Sequence, residues 1–373
     1  MLYWKRSPEL ARRLGRSISS GTFALLMTVA IFAKAPAVAE EWGKVVGDAK
    51  REGKVVVAVP PGAPWRSLVL GFTREYPEID TEITGIGEHA FASRVLAERK
   101  AGQKLWDVFV GGAPGSARIK NAKAVVPIRP ALLLPEVKGD QYLHGGVDFG
   151  FIDVEKRYIY AFIGQLQPLV FTNRTSVPIS QLTTPRQIID PKFRGKIVIE
   201  DPRVVGPGSA RVGGLLTAYG EDFVRKLFAE QEPVLTRDPR QVVEWLIRGR
   251  YPIGIGIRET ILKDFRDRGL GKEVEPVIAP EAVVYNTSGG NVSLLEGTPH
   301  PNATRVFINW LLSKRGQELM AELLLQNSRR TDVNPADPDA FPDPKHLRQY
   351  TRNDEAWGPV HEKVIEMAKG LIK

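Results

Sequence analysis

The chain contains no cysteine. That absence excludes a disulfide scaffold, thiolate zinc sites, iron–sulfur clusters, cysteine nucleophiles and lipid attachment through an N-terminal cysteine. Histidine is scarce as well, and His89, His144, His300, His346 and His361 show no His-x-x-x-His or other metal-ligand spacing. There is no Gly-x-Ser-x-Gly elbow, no Walker loop and no dinucleotide fingerprint. No catalytic residue, metal ligand or cofactor is therefore assigned. No apolar run reaches the ~20 residues of a membrane helix, and no segment repeats at a fixed period.

What is present is ordinary for a globular protein, with 43% hydrophobic and 25% charged residues over 373 positions. The formal charge of +9 is unevenly placed. Residues 1–39 carry Lys5, Arg6, Arg12, Arg13 and Arg16, then an apolar run from Phe23 to Ala33, then Ala37-Val38-Ala39. This is the pattern of a cleaved secretory signal peptide. Without these five, Lys34 and Glu9 the excess falls to +4. So thin an excess does not make the clustered basic face that nucleic acid requires.

From Lys54 the chain alternates apolar strands with amphipathic helices. Lys54–Val59 (KVVVAV), Ile79–Ile83 and Trp106–Val110 read as strands, with helices starting near Pro64 and Glu88 between them. Lys196–Glu200 and Tyr251–Ile257 repeat the idea after strand candidates at Tyr158–Ile163 and Pro168–Thr172. Val277–Val284 leads back to Val292–Leu295, and one long helix is expected from Asn302 to about Gln326. A second helix is expected at Trp357–Leu371, after a tail that wraps the first lobe. Apolar strands separated by helices predict α/β architecture built on parallel sheets. The spacing suggests two lobes, residues 40–165 with 280–373 and residues 166–279, with a cleft between them.

Ligands of such sheets bind beyond the carboxyl ends of the strands. The residues expected to face a ligand are therefore those that follow strands. Trp65 offers a stacking face, while Glu88 and His89 open a helix; Gly112 and Ser116 follow the third strand. Gly208 and Ser209 lie in a Gly-Pro-Gly-Ser turn before a helix whose N-terminus favours an anion, with Arg211 one turn further on. Arg258 follows the strand Tyr251–Ile257 and offers a planar guanidinium to a carboxylate or phosphate.

Several segments together resemble the extracellular solute-binding proteins of ABC importers. They are ASRVLAERKAGQKLWDVFVGG (92–112), GKIVIEDP (195–202), RYPIGIGI (250–257) and GTPHPNATRVFINWLLSKRGQELM (297–320). The resemblance is nearest to the ferric-iron-binding branch and covers most of the chain after residue 39. It implies a type II periplasmic binding fold, two α/β lobes that close on a solute by hinge bending. It also implies a periplasmic monomer that delivers its solute to a permease in the inner membrane. One departure bears on the ligand. Ferric-binding relatives carry adjacent tyrosines where this chain has Arg258-Glu259-Thr260, and a cation there repels a metal ion. The expected ligand is accordingly a small anionic or zwitterionic organic solute. The alternatives are ferric ion, held through Tyr158, Tyr160 or Tyr285, a ligand-sensing module for a membrane kinase, and a periplasmic enzyme.

Overall fold

The computed structural model describes residues 34–287, 289–352 and 354–372. It divides into two units, residues 1–44 and residues 45–373. The basic and apolar stretches of the expected signal peptide lie outside the described residues. The backbone of Ala37–Ala39, its expected cleavage site, belongs to the helix Lys34–Glu52. Among the described residues no helix is long and apolar enough to cross a membrane.

The larger unit is built on two sheets. The first contains β1 (Lys54–Val59), β2 (Asp80–Gly85), β3 (Val108–Gly111), β4 (Val125–Val126) and β5 (Tyr160–Ala161). After β6 (Gln165–Pro168) the chain enters the second sheet, with β7 (Val170–Asn173), β8 (Ile197–Glu200), β9 (Val234–Thr236), β10 (Ile253–Ile255) and β11 (Val274–Val277). It returns through β12 (Val283–Asn286) to β13 (Asn291–Leu295) in the first sheet, and β14 (Thr351–Arg352) comes late in the chain. The strand orders are β2-β1-β3-β13-β4 and β11-β7-β10-β8-β9. In each sheet three parallel strands, β2-β1-β3 and β9-β8-β10, carry the helical crossovers.

Neither sheet is wholly parallel, which corrects the expectation from sequence. β13 runs antiparallel to β3, and β7 antiparallel to β10. Both strands adjoin the passages between the sheets, so they enter without a helical crossover and are free to run the other way. The passages themselves pair: β6 lies antiparallel to β12, with β14 on the other side of β12. Tyr285 of β12 is buried there with Val283, Leu347 and Tyr350.

Both faces of the second sheet are covered. One core contains Ile197, Ile199, Val212, Leu215, Phe223 and Leu227, and the other contains Val198, Val242, Leu246 and Phe265. Alternation along β8 sends neighbouring residues to opposite cores. Each fully buried aliphatic side chain contributes about 1.5–3 kcal/mol. Trp357, Val364 and Met367 join the first of these cores. The last helix, Trp357–Leu371, thus packs on the helix Pro207–Tyr219 of the second sheet, away from the first-sheet lobe to which residues 280–373 were expected to belong.

The long helix expected at Asn302–Gln326 is two helices, Pro301–Leu312 and Lys314–Leu324. Ser313 between them is extended, and its Oγ accepts the Gly316 N–H at 3.1 Å. A serine cap restarts the helix more favourably than an uninterrupted turn continues it. The preceding His-Pro-Asn-Ala stretch is a structural terminus. Glu52 accepts the N–H groups of Asn302 and Ala303 at 2.9 and 2.8 Å, and His300 Nδ1 lies 2.8 Å from the buried Asp107 carboxylate.

Candidate functional site

The strand orders place a topological switch in each sheet, where successive crossovers leave β1 and β8 in opposite directions. The loops and first helical turns that follow the strands of the two sheets hold the residues expected to face a ligand. Beyond the first sheet lie Trp65, Glu88, His89, Gly112 and Ser116; beyond the second lie Gly208, Ser209, Arg211 and Arg258.

At the first sheet Glu88 is the best-placed polar side chain. Burial raises its pKa, which the Gly112 N–H and the nearby His89 partly offset. His89 Nε2 lies 3.6 Å from Glu88 Oε1 but is itself largely exposed. Gly112 and Gly115 have no room for a side chain, because a Cβ at either would collide with Glu88. The glycines therefore bring the start of the helix Ala113–Asn121 against Glu88. Ser116 is fully buried and its Oγ has no hydrogen-bond partner. Trp65, beyond the carboxyl edge of this sheet, is only half-buried, whereas Leu68 and Phe72 further along its helix are buried. The turn at Gly289 lies beside the same edge, with an added Cβ there 3.8 Å from Pro60.

At the second sheet the Gly-Pro-Gly-Ser turn is occupied by its own chain. Ser209 Oγ accepts the Gly206 N–H at 3.1 Å and donates to the Gly206 carbonyl at 3.0 Å. A Cβ at Gly208 would overlap the Glu200 carbonyl oxygen, so this glycine serves close packing of the helix on β8. The Glu200 carboxylate lies beside Gly206 and complements the helix N-terminus that sequence reasoning offered to an external anion.

Arg258 is half-exposed and directs its guanidinium at Glu200, with Nη2 to Oε1 at 3.0 Å and Nε to Oε2 at 3.4 Å. The contact joins the carboxyl ends of the parallel strands β8 and β10. The next residue, Asp201, points the other way. It accepts from Arg203 Nε and Nη2 at 2.9 and 3.0 Å and from Arg237 Nε at 3.0 Å. Hydrogen bonds from Arg203 foremost, with Arg237 adding to them, hold its pKa at about 2. Arg211 is 6% exposed, and burial lowers its pKa to about 10 against the favourable fields of Glu259 and Glu200. Four arginines thus follow the ends of β8, β9 and β10, interleaved with Glu200, Asp201 and Glu259. Sequence reasoning singled out Arg211 and Arg258 but missed Arg203, Arg237 and the three carboxylates that stand with them. The signal available was position, since each lies within a few residues of a strand end or begins the helix after one.

Of the tyrosines considered for ferric ion, Tyr158 packs beside Ala113 and Ala117. Tyr285 is buried beside Arg329 and Arg352, and burial raises its pKa despite both cations. The Tyr160 hydroxyl is buried without a partner, and Arg329 stacks on its ring at 5.5 Å. Among the described residues no three His, Asp or Glu side chains gather as a metal site. A concavity of about 350 Å³ between the helix Lys314–Leu324 and Val333–Ala336 involves neither strand edge.

The model of the bacterial extracellular solute-binding protein family matches residues 58–318, well over half of the chain. The chain belongs to that family. As a solute-binding protein it is 26% identical to an uncharacterized protein of Haemophilus influenzae over 193 residues, 50% of this chain and 52% of the relative. The match thus spans about half the length of that relative. The fold is shared more completely with solved structures. A Trichodesmium protein (IdiA, FutA) in complex with iron and citrate aligns at TM-score 0.65 and 15% identity, covering 86% of this chain and 99% of the other. The periplasmic binding protein AfuA of Actinobacillus pleuropneumoniae, with fructose-6-phosphate bound, aligns at TM-score 0.57 and 20% identity over 85% and 99%. The two sheets joined by β6 and β12 are the type II periplasmic binding fold.

Proposed function

We propose that this protein captures a small anionic or zwitterionic organic solute between the carboxyl edges of its two sheets and delivers it to a membrane permease. The family supports the receptor role, and the single observation that carries the ligand class is the set of four arginines beyond β8, β9 and β10. Arg258 is the one we place on the ligand, because it is half-exposed and its partner Glu200 holds it in a fixed orientation. Trp65, Glu88 and His89 supply the opposite wall, with Gly112 and Ser116 beneath them. Gly208 and Ser209 hold the helix start that positions Arg211.

Capture requires no bond to be made or broken. A solute touching both edges stabilises the closed arrangement over the open one by its difference in affinity for the two, and the permease recognises the closed form. The working site is the periplasm, reached through the N-terminal signal. Ferric ion is disfavoured because Arg329 and Arg352 flank Tyr285, and cations beside a phenol oppose a trivalent metal.

Thermal-shift measurements on the full chain test this reading, with carboxylates, amino acids, phosphonates, polyamines, sugars and ferric ion as separate arms. A bound solute raises apparent stability by mass action. A saturable rise with carboxylates, amino acids or phosphonates is expected, reduced about tenfold in affinity or more by Arg258→Ala. A rise with ferric ion alone, accompanied by a tyrosinate colour, contradicts it.

A further inference from the structure

Two oppositely charged side chains near the end of β10 stand out because the fold does not satisfy them. Arg211 is 94% buried, and its Nε has no hydrogen-bond partner. Glu259, the first residue of the helix Glu259–Arg266, has its Oε1 buried and equally unpartnered. Each feels the other's charge, yet among the described residues neither forms an ion pair. Leaving such groups unmatched is costly for a polar atom and more so for a charged one. Native interiors rarely tolerate that without a functional reason.

The surroundings decide what kind of group completes them. Glu200 also acts on Arg211, and Glu259 feels Asp337 and Arg266 as well. Asp337 belongs to the loop that Asn327 ties down beside the passage between the sheets; Asn327 Oδ1 accepts its N–H at 2.8 Å, and the Asn327 carbonyl accepts the Gly164 N–H at 3.0 Å. A simple anion on Arg211 would lie in the field of Glu200 and Glu259. A simple cation on Glu259 would be repelled by Arg211. An uncharged hydroxyl supplies one donor and one acceptor but no countercharge. A molecule bearing both charges meets each side chain with the opposite sign.

We propose that Arg211 and Glu259 form a subsite for a zwitterionic solute, with the Arg211 Nε–H donating to its carboxylate and Glu259 Oε1 accepting from its ammonium group. The inference rests on the reading of the protein as a solute receptor and narrows the solute from anionic or zwitterionic to zwitterionic. The two side chains are farther apart than an ion pair, so the separation of the two charges in the solute sets its fit. This makes chain length a direct reporter.

The experiment is calorimetric titration of the full chain with glycine, β-alanine, 4-aminobutyrate and 5-aminopentanoate. The corresponding carboxylates lacking the amine and amines lacking the carboxylate form two control series. One length of amino acid is expected to bind best, with both of its controls weaker by about tenfold to a hundredfold, the worth of a charge-assisted hydrogen bond. Glu259→Gln keeps the side-chain shape and is expected to remove the preference for the amino acid over its carboxylate control while leaving the unfolding midpoint near that of the parent. Arg211→Lys, which keeps the charge but loses the fixed geometry, is expected to weaken the amino acid and the carboxylate alike. Equal binding of the amino acid and its carboxylate control, or a Glu259→Gln variant with unchanged preference, overturns the subsite. Binding confined to simple anions or sugars also overturns it but leaves the receptor reading standing. If none of these compounds binds and none of the wider thermal-shift arms does, the receptor reading itself falls.

Discussion

Asp201 is the most strongly held carboxylate at the second-sheet edge, with two arginines on it and almost no exposure. Its pKa is depressed to about 2, so its contribution to stability is fully present above the ordinary carboxylate value and is lost as pH falls through about 2. Asp201→Asn is expected to lower stability at pH 7 by roughly 1–2 kcal/mol, because Asp201 is buried while Arg203 and Arg237, which lose their shared partner, reach solvent. Urea unfolding at pH 7, pH 4 and pH 2 checks this, and the variant is expected to lose less than the parent between pH 4 and pH 2. Glu88 behaves in the opposite sense. Burial raises its pKa, so Glu88→Gln is expected to leave stability at pH 7 unchanged or improved while any ligand contact through its charge is lost. Arg203 and Arg237 were missed in the sequence, but Arg211 and Arg258 were legible as residues that follow an apolar strand. Their partners were not, since Arg258 meets Glu200 across 58 positions of chain, and only the parallel register of β8 and β10 brings them together.

At the scale of elements, strands with continuous apolar runs were readable, and β1 and β8 lie where the sequence places them. Strands broken by proline or by exposed residues were not. Val277–Val284 proved to be the end of β11, a short turn at Pro280 and the start of β12. The division of the expected Asn302–Gln326 helix was hidden because apolar periodicity continues through Ser313 while the cap interrupts the backbone. Ser313→Ala is expected to cost about 1 kcal/mol, measured as a shift of the denaturation midpoint at constant slope. Gly208→Ala is expected to cost more, about 1–3 kcal/mol, because its methyl group meets backbone and not a movable side chain. The same change bears on function, since it displaces the helix that carries Arg211.

For the molecule as a whole, the class of fold was legible and its connectivity only partly so. Two rounds of strand and helix announced two α/β halves, and the chain order announced a return to the first. The antiparallel entry of β7 and β13 was invisible, because strand direction is set by how a passage reaches the sheet and not by local composition. The place of the last helix was likewise invisible, for Val364 and Met367 show an apolar face without showing which core receives it. Removing residues 357–373 is expected to expose that core and to destabilise the second half first, read as faster hydrogen exchange in Ile197–Glu200 and Pro207–Tyr219 than in Lys54–Val59. In the proposed mode of capture a solute bridges the carboxyl edges of the two sheets joined by β6 and β12. Small-angle X-ray scattering of the full chain, alone and with the solute that gives the largest thermal shift at saturation, tests it most directly. A smaller radius of gyration with the solute is the predicted result, and an unchanged one at demonstrated saturation would contradict capture by closure.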